Sequence, residues 1–108
     1  MYVVQVAVPR PLQESLDYLP PAGDGLGEVV GRRIKVPLGR GETIGIVVGV
    51  KEGSDLPIHR LRRAVAWLDD EPLFGAELVK TLEWAAQYYR YPLGAVLNAA
   101  LPSALRKG

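Results

Sequence analysis

Cysteine is absent from the 108 residues, and histidine occurs once, as His59. The first absence excludes a disulfide framework, a thiolate nucleophile and a zinc ribbon, and the second leaves no histidine cluster for a metal. No apolar run approaches the ~20 residues that a membrane span needs, and the opening Met1-Tyr2-Val3-Val4-Gln5-Val6 lacks the basic stretch of a secretory signal. A cytoplasmic location without membrane contact is the expectation. An excess of one charge sign is missing too. Thirteen Lys and Arg face twelve Asp and Glu, a net charge of +1, which argues against a protein that coats duplex DNA. That average conceals a gradient: the net charge is −2 over residues 1–27, +4 over 28–63 and −1 over 64–108. The middle third is either a solvated charged face or a small phosphate contact.

Enzyme signatures are equally scarce. Gly23, Gly25 and Gly27 do not have the spacing of a dinucleotide-binding loop, and no Walker lysine is present. Asp69-Asp70-Glu71 reads as a solvated loop and helix start rather than a metal site. Ser15, Ser54 and Ser103 have only His59 as a base, which gives a hydrolase triad little support.

What the chain does contain is turn material and β-branched alternation. Twelve Gly and nine Pro are too many for a simple helical bundle. Tyr2 to Val8 reads as a first strand with Tyr2, Val4, Val6 and Val8 on one face, closed by Pro9 and Pro11. Leu16-Asp17-Tyr18-Leu19, stopped by Pro20 and Pro21, reads as a short strand with Asp17 opposite Leu16 and Tyr18. Residues 22–27 are a glycine loop. Arg33 to Leu38 alternates with Ile34, Val36 and Leu38 inward and Arg33 and Lys35 outward. Thr43 to Val50 alternates again, and the two form a hairpin through Gly39-Arg40-Gly41. Gly45 and Gly49 leave one face open to a bulge or a close backbone, and Pro37 fits a sheet edge. Residues 61–68 alternate as a fifth strand.

After Pro72 the period changes. Leu78, Leu82, Ala85 and Tyr89 form the stripe of an amphipathic helix, with Trp84, Tyr88 and Tyr91 as a second stripe. The second stripe reads as packing rather than as a base-stacking platform. Pro92 stops this helix and starts another over 93–101, ended by Pro102. The expected fold is mainly β with C-terminal helices (α+β): a small curled sheet or partly open barrel of about five strands, covered by two helices. The organisation is one domain, β-rich over about 1–70, helical over 71–102, with a tail over 103–108.

Asp17 stands out as a lone acid in an apolar strand, costly unless something pairs with it. Its alternatives are an internal salt bridge, a turn hydrogen bond or a binding role. Arg60, Arg62 and Arg63 cluster on another strand.

Several segments together resemble the amino-terminal domain of the PriA family of bacterial replication-restart helicases. They are Val6-Ala7-Val8-Pro9 with Pro11-Leu12, Leu16-Asp17-Tyr18-Leu19, Val36-Pro37-Leu38-Gly39, Ile44-Gly45-Ile46-Val47-Val48, Leu68-Asp69 with Glu71-Pro72, Trp84-Ala85 with Tyr88-Tyr89, and Pro92-Leu93-Gly94 with Ala100-Leu101-Pro102. The resemblance implies a module, not itself an enzyme, that recognises the free 3′-hydroxyl end of a DNA strand without base specificity, such as the nascent leading strand at an arrested fork. It implies that Asp17 accepts a hydrogen bond from the terminal hydroxyl and that Leu16 and Tyr18 help form the pocket. Gly39 then lets backbone approach the nucleotide, and Arg62, or its neighbour Arg63, contacts phosphate. Leu16 stands where relatives often carry Phe, and Arg62 where they often carry Lys. The implied partners are DNA with a free 3′ end at fork-like structures, the remaining helicase domains, and single-stranded-DNA-binding or other primosome proteins. The chain is expected to hold no cofactor, with ATP and zinc confined to other domains of a longer, nucleoid-associated helicase from which this domain is excised. A protein-docking module within a replication assembly is the alternative.

Overall fold

A computed structural model describes residues 2–10, 15–22, 28–54, 56–57 and 60–100. The glycine loop beyond Ala22, His59, the end of the second helix at Leu101-Pro102 and the tail lie outside the described residues.

Among the described residues, five strands, β1 (Tyr2–Ala7), β2 (Leu16–Tyr18), β3 (Arg33–Leu38), β4 (Gly41–Glu52) and β5 (Ala66–Trp67), precede two helices, α1 (Ala76–Tyr89) and α2 (Leu93–Ala100). The strands form one antiparallel sheet in the order β2-β1-β4-β3-β5, which is not closed into a barrel. β4 is central and apolar on both sides, and so it divides two cores. Val47 is buried on one face with Val4, Val6, Val8, Tyr18, Ile34 and Val36. Ile46 and Val48 are buried on the other with Ala7, Phe74 and the helix residues Val79, Ala86, Leu93 and Leu97. The continuous Ile46-Val47-Val48 run is what a strand buried on both faces requires.

The β1–β4 register slips between Gln5 and Val6, where Gln5 faces Gly49 but Val6 faces Val47, so Val48 is the extra residue of a bulge. This is the irregularity that Gly45 and Gly49 anticipate. The β3–β4 hairpin pairs Leu38 with Gly41 across the two residues Gly39 and Arg40. Gly39 has φ +60°, a left-handed conformation that favours glycine. Pro37 lies beyond the reach of β5, which pairs only with Ile34 and Lys35, so β3 is locally an edge there.

Three expectations are corrected. Arg33 does not face out to solvent: it is 7% exposed, because the face it occupies is covered and Asp69 receives it at 2.9 Å. Asp69 is accordingly not a solvated loop acid. The fifth strand does not run over 61–68, because that segment divides its backbone hydrogen bonds between two edges. Leu19 N donates to Arg62 O at 2.9 Å and Ala64 N to Leu19 O at 2.8 Å, whereas Val65 N donates to Lys35 O at 2.8 Å and Leu68 N to Arg33 O at 3.1 Å. Only Ala66 and Trp67 then remain as a strand, with an isolated bridge from Leu19 to Arg63.

The third correction concerns α1. Its buried face is Val79 and Ala86 with Leu82 half-buried, whereas Leu78 and Tyr89 are exposed. Val79 and Ala86 are small enough to let the helix lie close to α2 and the sheet, which leaves the large rings outside. The helix ends on Arg90 at φ 56°, and the chain folds back with Tyr91 N donating to Ala86 O at 2.9 Å.

Candidate nucleic-acid interface

Two side chains meet the β3–β4 hairpin near its tip. The buried Tyr18 donates its hydroxyl to Pro37 O at 2.7 Å. Two residues along, exposed Arg62 donates from Nη1 to Gly39 O at 2.9 Å. Burial pushes the Tyr18 hydroxyl above its ordinary pKa, against the opposing pull of the Arg62 charge. Leu16, half-buried, packs against the same core cluster as Tyr18. The guanidinium of Arg63 turns elsewhere and donates to Pro20 O at 2.8 Å.

Asp17 lies opposite Gln5 on β1 and points to the other side of β2 from Tyr18, as strand alternation demands. Its carboxylate is paired. Lys51 Nζ lies 3.1 Å from Oδ2, with the Asp17 side chain 14% exposed and that of Lys51 35%. The Ser54 hydroxyl donates to the same oxygen at 2.5 Å and itself accepts from Leu56 N at 3.2 Å. Tyr18, Gly39 and Arg62 are therefore gathered at one place with Leu16 beneath. The Asp17 carboxylate is not brought to this place: it stands on the opposite face of β2, and the link is through the backbone alone, where Arg62 runs beside Leu19, two residues on from Asp17.

Sequence reasoning missed Lys51 and Ser54. A signal for Lys51 exists only once pairing is known: Gln5 sits between Asp17 and Gly49, and Lys51 follows Gly49 by two. Glycine at 49 removes the nearer side chain, and the long lysine spans the gap. For Ser54, which follows β4, nothing local in the sequence points to Asp17.

A second feature lies on the helices. Trp84, Tyr88, Tyr89 and Tyr91 are 60–66% exposed, which corrects the expectation that the Trp84 stripe is packing. Trp84 stacks on Tyr88 with centroids 5.1 Å apart, Tyr89 meets Tyr88 edge-on at 4.9 Å, and Tyr89 stacks on Tyr91 at 6.2 Å. The rings form a contiguous outward ladder because the inward side of α1 is taken by Val79 and Ala86.

Among the described residues no group of three or more His, Cys, Asp or Glu is placed to hold a metal ion, and no helix is long and apolar enough to cross a membrane. The family model of the PriA 3′ DNA-binding domain (3′BD) matches residues 5–102, nearly the whole chain. The chain belongs to this family. Along its full length it is 39% identical to the replication restart protein PriA of Haemophilus influenzae, covering 14% of that protein. It is 27% identical over 107 residues to PriA of Buchnera aphidicola, covering 99% of this chain and 15% of the relative. PriA of Treponema pallidum is 29% identical over 101 residues, 90% of this chain and 15% of that protein. The chain thus spans about one-seventh of the length of these relatives. The matched family is a DNA-binding domain, and the Walker lysine and zinc-binding cysteines implied for the longer helicases are not in these 108 residues.

Proposed function

We propose that this domain binds the free 3′-hydroxyl end of a DNA strand without reading its base, as replication restart requires at the nascent leading strand of an arrested fork. The observation that carries this reading is Asp17, a carboxylate whose ties among the described residues run through Oδ2, on a segment beside which Arg62 runs. Oδ1 is the acceptor for the terminal hydroxyl, and a carboxylate there accepts a hydroxyl but opposes a terminal phosphate. The donors of Arg62 not used on Gly39 take the last phosphodiester. Leu16 and Tyr18 support the strand that carries Asp17 from the core on its opposite face, and exposed Gly39 offers no side chain to obstruct the nucleotide.

Titration of the 108-residue chain with short single strands ending in 3′-hydroxyl or 3′-phosphate tests the reading. Hydroxyl ends bind more tightly, in the presence of a chelator and without ATP, since both cofactors belong to other parts of a longer bacterial helicase acting on chromosomal DNA. Equal binding of the two ends rejects it.

A second reading, docking onto a protein, is favoured by the exposed ladder from Trp84 to Tyr91, because exposed contiguous Trp and Tyr are the residues that anchor protein interfaces. Its partners are the remaining helicase domains, a single-stranded-DNA-binding protein or other primosome proteins. The two readings use different faces and are compatible.

A further inference from the structure

Asp17 is not a bare negative charge. Lys51 reaches it from β4 across β1, and its ammonium stands 3.1 Å from Oδ2. Seen from a few ångström away, an oppositely charged pair this close repels a phosphate less than a lone carboxylate does. Ser54 acts on the same oxygen without contributing charge. The contacts that orient the carboxylate are thus separable into one that alters its field and one that does not.

We propose that Lys51 is a specificity-determining residue that sets how strictly the site rejects a phosphate-blocked 3′ end, while Ser54 is a positioning residue for the Asp17 carboxylate. This rests on the end-recognition reading above. With Lys51 in place, rejection of a blocked end is softened, and affinity for every end benefits from a local cation. An ammonium has three donors, and the Lys51 side chain is 35% exposed, so it reaches the strand's last phosphates while remaining paired. Without Lys51, the uncompensated carboxylate discriminates more sharply and binds all ends less well. Ser54 fixes which oxygen faces the hydroxyl, so its loss weakens hydroxyl binding with little effect on the charge contrast.

The test uses the 108-residue chain and 5′-labelled single strands that differ only in a 3′-hydroxyl or 3′-phosphate, with anisotropy giving the affinity ratio for each variant. Lys51→Gln raises the hydroxyl-over-phosphate ratio at least about five-fold, the effect of one unit charge a few ångström away at a wet surface. Lys51→Arg, which keeps the charge and serves as a second variant should Lys51→Gln fail to fold, retains the wild-type ratio. Asp17→Asn lowers the ratio, and Ser54→Ala weakens hydroxyl binding by roughly three-fold or more with the ratio within about two-fold of wild type. If Asp17→Asn lowers the ratio but Lys51→Gln leaves it unchanged, or if Lys51→Arg behaves like Lys51→Gln, the role of Lys51 is overturned and end recognition stands. A ratio in Ser54→Ala that moves as far as in Asp17→Asn overturns the positioning role. If Asp17→Asn has the wild-type ratio, end recognition fails and the role of Lys51 fails with it.

Discussion

Arg62 grips the carbonyl of Gly39 at 2.9 Å, so the hairpin tip and the segment before β5 are tied by a side chain that is itself exposed. The arrangement holds a guanidinium at the place where Tyr18 meets Pro37, with donors to spare. One basic residue in a domain of net charge +1 fits a contact with one phosphate or two rather than a track along the backbone.

Arg62→Ala is therefore expected to weaken binding to strands of every sequence alike, because a phosphate contact reads no base. The melting temperature changes by no more than an exposed substitution usually causes, within about 0.5 kcal/mol. For the wild-type domain, log K falls against log salt with a slope of roughly −0.7 to −1.4. Binding isotherms at several salt concentrations check both statements, and a slope several times steeper that grows with strand length counts against end recognition.

The Arg33–Asp69 pair predicts acid sensitivity. Burial pushes the Asp69 carboxyl up, but hydrogen bonds from the Arg33 side chain and backbone, with the charges of Arg33 and Arg32, outweigh it and leave the pKa below the ordinary carboxylate value. The unfolded chain takes up this proton more readily than the folded one. The stabilisation is present above about pH 4 and is lost as the pH falls through the folded value. Asp69→Asn lowers stability at pH 7 by about 1.5–3 kcal/mol, and denaturant titrations show that difference shrinking as the pH falls below about 4. A difference independent of pH rules out the ionic contribution.

How α2 meets β1 gives another test. At Gly94 a Cβ would run into the Val8 carbonyl, so the helix and the end of β1 meet backbone to backbone. Gly94→Ala forces them apart, and the buried Leu93 and Leu97 lose contact with the sheet. Despite the better helix propensity of alanine, the variant is expected to unfold more easily by about 1–3 kcal/mol, the cost of overpacking. A rise in melting temperature contradicts the packing.

The parts legible in the sequence were those that depend on local alternation. Leu16-Asp17-Tyr18 and the β3–β4 hairpin announce themselves through period two and glycine placement, and the Gly45 and Gly49 gap anticipated the bulge. Arg33 and Asp69 were illegible because a charge reads as exposed until its partner, 36 residues away, is known to lie beside it. A comparable separation in sequence hid Lys51 and Ser54 from Asp17. On α1, helical spacing put Leu78 and Tyr89 on the inward stripe, but close packing buried Val79 and Ala86 instead. Period alone identifies a helix and does not say which of two adjoining apolar stripes faces inward.

That ambiguity makes Trp84 informative. A buried tryptophan truncated to alanine typically costs about 3–5 kcal/mol, but Trp84 is 60% exposed and its ring contact among the described residues is the stack on Tyr88. Losing one such pair costs about 0.5–1.5 kcal/mol, so Trp84→Ala should lower the melting temperature only slightly. Its binding to a 3′-hydroxyl strand should equal that of the wild type, because the proposed end site rests on Asp17 and Arg62 and not on the helix. Thermal denaturation and strand titration on the same preparation separate the possibilities. A large loss of stability restores the ladder to the core and contradicts its exposure. A stable variant that no longer binds DNA makes the ladder a base-stacking platform and moves the binding surface from the sheet to the helix. A stable variant with intact end binding leaves the ladder free to meet a protein.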